Sequence, residues 1–289
     1  LRRSFVAVLV VSGFLLTGCR SSVNANVPII GKPVDAQTQM AKVFGPIETR
    51  IPAGDGWVVL SPAKDGTREL GYMALQKDTW HALGNRYSVD ATADVRVDGN
   101  LVVLQTAKEG APQYAAYRYT ADGLSAADYY SLMAPEPTVK TGPLIVVNKY
   151  LNVLYHYQDG KLVKAYRVAT GRDTKPPTPT WQDYKTNFFT PEGNYRLTNF
   201  VENPPFNALK PGDTSYSGGA PGNPLGTRWM GFGVLDNDNA WIWGIHGTSH
   251  PELIGTWASD GCIRMYTKDA EELSSRIKGK NAALRIVGK

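Results

Sequence analysis

Cysteine is scarce in this chain: Cys19 and Cys262 are the only two among 289 residues. No multi-disulfide framework can hold it together, so a core of ordinary size must do so. Charge of one sign is also in short supply. Thirty-one Lys and Arg face 26 Asp and Glu, a net +5 with four histidines left neutral, and no dense basic run follows the first residues. This excludes the electrostatic footprint of a nucleic-acid binder, and partners are expected to include no nucleic acid. A mildly basic balance would suit an anionic cell envelope, although an ordinary solvated surface has the same charge. Long hydrophobic runs are missing too. The stretch "FVAVLVVSGFLL" at 5–16 falls short of the roughly 20 residues that span a bilayer. What the chain does have is 15 Tyr, 7 Trp, 29 Gly and 19 Pro, the composition of a folded, strand- and turn-rich protein.

The N-terminus reads as an export signal. Arg2 and Arg3 precede the apolar run, and Leu16-Thr17-Gly18-Cys19 follows it, a small-residue site ending in cysteine. The arrangement resembles a bacterial lipoprotein signal, which implies cleavage before Cys19, lipidation of that thiol and contact with the membrane through the lipid alone. A plain secretory signal cut nearby is the alternative. Leu1 is what a non-ATG start gives when translated literally. Without its two arginines the mature chain has a net charge of +3. Lipidation would leave Cys262 without an internal partner in a compartment that favours disulfides.

The remainder divides by composition. Residues 1–18 are the expected signal and 19–45 a tether without periodicity, rich in Ser, Asn, Pro and Gln. A small β-rich domain of unassigned role is expected over 46–138. There "WVVL", "LGYMAL", "VRV", "LVVLQT" and "YAAYRY" alternate with turn signals such as Lys64-Asp65-Gly66, Asp98-Gly99-Asn100 and Ala121-Asp122-Gly123. Ser125 is placed to cap a short helix with Asp128 three residues on. The proline-rich "APEPTVKTGP" at 134–143 reads as a linker.

A second domain is expected over 143–289. It opens with two apolar runs around Gln158-Asp159-Gly160 and continues through "GNYRLT", "RWMGFGVL", "WIWGIH" and "AALRIV" as strands. One helix near the end has Thr267 as its cap and Ala270, Leu273 and Ile277 as its apolar stripe. Between Glu202 and Gly226 lies a segment saturated with Pro, Gly and Asn. Connections of this length are commonly lids, binding loops or surface excursions.

The chemistry concentrates at "IHGTSHPELIGTWASDGCIRM", residues 245–265. A cysteine nucleophile must become thiolate, and an imidazole within reach can take the proton and return it to a leaving amine. His246 ends an apolar strand and precedes Gly247. Cys262 follows Gly261, whose missing side chain allows main-chain N–H groups to approach an oxyanion. Taken singly, a buried histidine or cysteine is more often packing. A metal site at His246, His250 and Cys262 is disfavoured, because Gly247 and Pro251 interrupt the helix that an i, i+4 pair needs.

His246-Gly247-Thr248, Pro251, Ile254-Gly255 and Ser259-Asp260-Gly261-Cys262-Ile263-Arg264-Met265 together resemble the signature of the YkuD-type L,D-transpeptidase catalytic domain. The similarity extends upstream through "IVVNKYLNVLYHYQDGKLVKAYRVATG", "TPEGNYRLTN" and "NPLGTRWMGFG", about half the chain. The resemblance implies a mainly β fold, a β-sandwich catalytic domain with one or two short helices behind the smaller β-rich domain. It implies Cys262 as nucleophile and His246 as general base and later acid. It also implies an oxyanion and orienting segment of Asp260, Gly261 and Gly247, with a carbonyl near Asp260 holding the imidazole. Arg264, Ser259, Thr248, Trp229 and Met230 are the implied substrate contacts. Many members have His where this chain has Asp260, whose carboxylate could raise the thiol pKa.

The implied reaction is acyl transfer in peptidoglycan. Cys262 would form a thioester with a tetrapeptide stem, release D-Ala and pass the acyl group to an amine as a 3→3 cross-link. No cofactor or metal is implied, the partners are stem peptides, and a monomer is expected. Water as acceptor would give a carboxypeptidase instead. A wall-binding module without turnover has Asp260 and the unassigned first domain in its favour, but no need for both His246 and Cys262. Papain-like peptidases place Cys before His, the reverse of the order here.

Overall fold

A computed structural model describes residues 36–172, 188–207, 214–234 and 241–288. The expected signal peptide, Cys19 and the first part of the tether lie outside the described residues, as does the middle of the Gly/Pro-rich segment. The protein is mainly β. Eight strands, β1 (Thr49–Ala53), β2 (Gly56–Leu60), β3 (Thr67–Gln76), β4 (Thr79–Asp90), β5 (Asp94–Asp98), β6 (Leu101–Lys108), β7 (Ala111–Thr120) and β8 (Gly123–Ala127), form a first sheet in the order β1-β2-β3-β4-β8-β7-β6-β5. The turn signals lie where the chain reverses: β5 (Asp94–Asp98) pairs antiparallel with β6 (Leu101–Lys108) across Gly99-Asn100, and β7 (Ala111–Thr120) with β8 across Ala121-Asp122. Val58, Leu60, Leu70, Val102, Leu104 and Leu124 share its core.

Two expectations here need correction, and one strand was unforeseen. The tether does not run unstructured to residue 45: Ala36–Phe44 form helix α1. Met40 and Phe44, four residues apart and so on one helical face, are buried against Val59 and Met73. Arg86 donates to the carbonyls of Val43 and Phe44, both at 2.9 Å, satisfying groups that a helix end leaves unpaired. Ser125 caps nothing, because it lies within β8. The cap of the next helix, α2 (Tyr129–Leu132), is Asp128, whose carboxylate accepts from the Ser131 N–H and hydroxyl. Finally, β4 (Thr79–Asp90), 12 residues long, was not expected at all. Its pattern is mostly exposed or half-buried, with too few apolar residues for alternation to show.

The second sheet comprises β9 (Pro143–Asn148), β10 (Val153–Gln158), β11 (Lys161–Gly171), β12 (Gly193–Leu197), β13 (Asn199–Glu202), β14 (Arg228–Val234), β15 (Trp241–His246), β17 (Ile263–Met265) and β18 (Ala282–Val287) in the order β12-β18-β9-β10-β11-β17-β15-β14-β13, with the short β16 (Trp257–Ser259) beside β11. Central β9 (Pro143–Asn148) shows why it reads as a continuous apolar run. Ile145 and Val147 enter one core, while Leu144 and Val146 enter another on the opposite face. Helix α3 (Thr267–Ile277) covers the first of these cores with Ala270, Leu273 and Ile277, all fully buried. Burying a Leu or Ile side chain contributes roughly 1.5–3 kcal/mol. Thr267 is not its cap: Tyr266 holds that position without a side-chain bond. The Thr267 hydroxyl instead donates to the Thr248 carbonyl at 3.3 Å. No described helix is long and apolar enough to cross a membrane.

The first sheet reaches toward the site. Lys108 donates to the carbonyl of Glu252 and, at 3.4 Å, to that of Ile254. Gln113 donates to the Gly255 carbonyl at 2.8 Å and accepts from Arg167 at 2.5 Å.

Candidate active site

Strand β15 (Trp241–His246) runs antiparallel to β14 (Arg228–Val234) and parallel to β17 (Ile263–Met265). Register pairs Ile245 with Met230 and Ile263, and His246 with Trp229 and Arg264. Side chains alternate across a strand, so two sets separate. Met230, Phe232, Ile245, Ile263 and Met265 enter the core. Trp229, His246 and Arg264 take the other face, where Gly231 and Gly244 are also paired. Cys262 lies two residues before Arg264, and the Gly244 backbone acts to lower its thiol pKa.

Gly244 makes the arrangement possible. A Cβ there would lie 2.6 Å from Cη2 of Trp229, so only a residue without a side chain lets the indole cross the strand. The ring then stacks on His246 with centroids 5.6 Å apart and planes at 15°.

His246 is 3 % exposed, and burial is the main reason its pKa falls to about 4. The Gly247 carbonyl opposes that shift and the Arg264 charge adds to it. Nδ1 lies 2.6 Å from the Gly247 carbonyl oxygen. An oxygen there can only accept, so Nδ1 carries the hydrogen, and the neutral ring keeps its lone pair on Nε2. The orienting carbonyl is therefore that of Gly247 and not one near Asp260.

Cys262 is half-buried and unpaired with any other cysteine. Desolvation pushes its thiol up to about 11, with Asp260 as the smallest contributor, while the Gly244 N–H and Arg264 act in the opposite direction. At neutral pH the pair consequently rests as thiol and imidazole. Both shifts act against a thiolate–imidazolium pair at rest.

The turn before Cys262 is tightly held. The Ser259 hydroxyl donates to the Cys262 carbonyl at 2.5 Å and accepts from the Gly261 N–H at 3.2 Å. Ser259 is fully buried, so it closes the turn and is not available to substrate. Met230 is likewise fully buried in the core, a packing position. The Thr248 hydroxyl accepts from the His250 N–H at 3.0 Å and shapes the turn after His246. Asp260 points outward and pairs with Arg172 at 2.8 Å. Arg264 stays beside the dyad, donating to the Ala258 carbonyl at 3.4 Å. His250 pairs with Glu252 at 3.1 Å, both well exposed. Among the described residues no three His, Cys, Asp or Glu gather as a metal site would require. The Gly/Pro-rich segment ends at the site: a Cβ on Gly226 would lie 2.9 Å from the Gly247 Cα.

Sequence reasoning missed Gly244, Arg172 and Thr190. Thr190 is 1 % exposed and donates its hydroxyl to the Gly261 carbonyl at 2.8 Å. The motif around the cysteine points to neither Thr190 nor Arg172. The run "WIWGIH" with glycine facing the histidine side was a usable signal for Gly244. A groove of about 460 Å³ lined by Asn194, Tyr195, Arg196, Arg285 and neighbours shares no residue with this site.

A buried imidazole and a thiol beside a tight glycine turn are the groups that cysteine-based acyl transfer would need. The family profile of the YkuD L,D-transpeptidase catalytic domain matches residues 142–286, half of the chain, and the chain belongs to that family. The Bacillus subtilis (strain 168) protein named "Putative L,D-transpeptidase YqjB" is 38 % identical over 135 residues, 47 % of this chain and 66 % of that protein. The Bacillus licheniformis protein named "Putative L,D-transpeptidase YkuD" is 29 % identical over 119 residues, 41 % of this chain and 50 % of its own length. The chain thus spans from half to just under two thirds of these relatives. The NMR structure of the catalytic domain from an E. faecium L,D-transpeptidase aligns over 52 % of this chain and all of that one. Its identity is 20 % and its TM-score 0.35, too loose a superposition to carry an argument.

Proposed function

We propose that this protein is a peptidoglycan L,D-transpeptidase with Cys262 as nucleophile and His246 as its proton carrier. One observation carries the reading: register pairs His246 of β15 with Arg264 of β17, two residues after Cys262, and the Gly247 carbonyl occupies Nδ1. That leaves Nε2 as the base. As the Cys262 sulfur attacks the carbonyl carbon of the stem's third residue, its proton passes to Nε2. The carbonyl oxygen becomes an oxyanion facing the Cys262 N–H. The C–N bond to D-Ala then breaks, and His246 returns the proton to the departing amine, leaving a thioester. An acceptor amine attacks the thioester, its proton passes through His246, and the C–S bond breaks to restore the thiol as a 3→3 cross-link forms.

The Arg264 charge disfavours a resting imidazolium and favours the oxyanion, so it acts in the transition state, and it is positioned for a substrate carboxylate as well. Trp229 walls the imidazole. The reading extends to export, a lipid on Cys19, and a division into a β-rich unit over 46–138 and a catalytic unit over 143–289. Protein from Arg20 onward, incubated with a diaminopimelate-containing disaccharide-tetrapeptide and followed by intact mass, tests it. An adduct lacking D-Ala together with dimer product is expected, with neither formed by Cys262→Ala. A folded protein giving no adduct and no product with any tetrapeptide stem would refute it.

A further inference from the structure

We propose that Thr190 is a positioning residue that aims the oxyanion donor of this site. The inference rests on the transpeptidase reading above.

The Gly261 N–H and the Cys262 carbonyl are both engaged by the Ser259 hydroxyl. The Gly261 carbonyl accepts from the Thr190 hydroxyl at 2.8 Å. The Cys262 N–H belongs to the same peptide unit as that carbonyl, and in a planar trans peptide the two point in opposite directions. Drawing the Gly261 oxygen toward Thr190 therefore turns the Cys262 N–H the other way, toward the carbonyl that the sulfur attacks. Gly261 sits at φ +112, a conformation available to glycine and rarely to other residues, so without a partner this peptide unit has room to rotate. Thr190 removes that freedom.

Thr190 is itself held at two further points. Its hydroxyl accepts from the Gly171 N–H at 2.8 Å, at the end of β11 (Lys161–Gly171). Its carbonyl accepts from Lys149 at 2.9 Å. That lysine is 5 % exposed and pairs with Glu192 at 2.9 Å. The packing is close as well: a Cβ on Gly261 would lie 2.9 Å from the Phe189 carbonyl oxygen. A hydroxyl has one hydrogen to give, and here it goes to the oxygen whose placement decides where the oxyanion donor points.

Two reactions of the same thiol separate this role from general support. Alkylation by iodoacetamide forms no oxyanion, whereas acylation by a carbapenem or a tetrapeptide stem does. In Thr190→Val, acylation is expected to slow about 10- to 100-fold, since losing an oxyanion donor outright costs about 10² to 10³. Alkylation at Cys262 should stay within about twofold. Thr190→Ser keeps the hydroxyl and should acylate within about threefold of wild type. If Thr190→Val does not fold, Thr190→Ala set against Thr190→Ser isolates the hydroxyl, with acylation rates at least about tenfold apart. Equal acylation in wild type and Thr190→Val, or parallel losses of acylation and alkylation, would overturn the proposal while leaving the transpeptidase reading intact. A wild-type protein that alkylates at Cys262 but is acylated by neither probe would overturn both.

Discussion

The resting state of the dyad makes a prediction that pH can test. The thiol is held near 11 and the imidazole near 4, both mainly by desolvation, so the thiolate is scarce at neutral pH. At pH 7.5 a group of pKa about 11 is deprotonated in roughly three molecules of 10⁴, and that fraction grows tenfold with each pH unit. Iodoacetamide alkylation of Cys262, followed by mass spectrometry from pH 5 to 10, should therefore climb log-linearly without a plateau. Acylation by a tetrapeptide behaves differently, because it needs only neutral imidazole and thiol. Its rate should be level from about pH 5.5 to 9 and fall as pH drops toward 4. The sign follows from the direction of each shift: lowering the His246 pKa widens the neutral range downward, and raising the thiol pKa widens it upward. An alkylation rate already level above pH 6 would show a preformed thiolate–imidazolium pair and refute the reasoning.

Gly244→Ala introduces a Cβ that would lie 2.6 Å from the Trp229 ring. It is expected to displace the indole from His246 and cut acylation at least about tenfold, with the thermal midpoint lowered by a few degrees at most; unchanged acylation would count against the wall role. Asp260→Ala should alter acylation less than about threefold, since the carboxylate is half exposed, paired with Arg172 and the smallest influence on the thiol. His156 is 2 % exposed with neither ring nitrogen partnered. Burial, with Arg276 and Lys280 nearby and only Glu272 opposing, depresses it to about 4. The unfolded chain takes up that proton first, so stability should be full above about pH 6.5 and decline toward pH 4, by about 3 kcal/mol for this residue. Chemical denaturation of His156→Phe should show a visibly shallower decline, and an unchanged slope would refute the assignment.

What the sequence disclosed and what it withheld divide along a physical line. Alternating apolar runs and Asp-Gly turns are local, so strands such as β9, β10 (Val153–Gln158) and β15 were readable, and so was the stripe of α3. Where few apolar residues mark an element, as in β4, or where two alone anchor a helix, as Met40 and Phe44 do in α1, the pattern falls below notice. The site splits in the same way. His246 and Cys262 stand out because glycines flank them within a few residues. The Thr190 bond to Gly261 spans 71 positions, and the contact between Gly244 and Trp229 depends on strand order, so neither is encoded in any short window. Thr267 shows the hazard of reading locally. It has the chemistry of a cap, yet its hydroxyl serves the Thr248 carbonyl on the far side of the site.

Strand order also accounts for the separation of 16 positions from His246 to Cys262. β15 and β17 are parallel neighbours, and a chain leaving the end of one must travel back to the start of the other, which takes a dozen or more residues. Residues 247–261 make that return through a 3₁₀ turn at Pro251–Leu253 and the short β16 (Trp257–Ser259). The spacing is thus a property of the crossover, while the relation between imidazole and thiol is set by sheet register. The crossover is held at the carbonyls of Glu252, Ile254 and Gly255 by Lys108 and Gln113. Substitutions at those two residues should accordingly act on how substrate enters past the crossover, read as KM, before they disturb the geometry of the dyad, read as kcat. A fall in kcat with KM unchanged in Gln113→Ala would show that the crossover, and not register, fixes the catalytic pair.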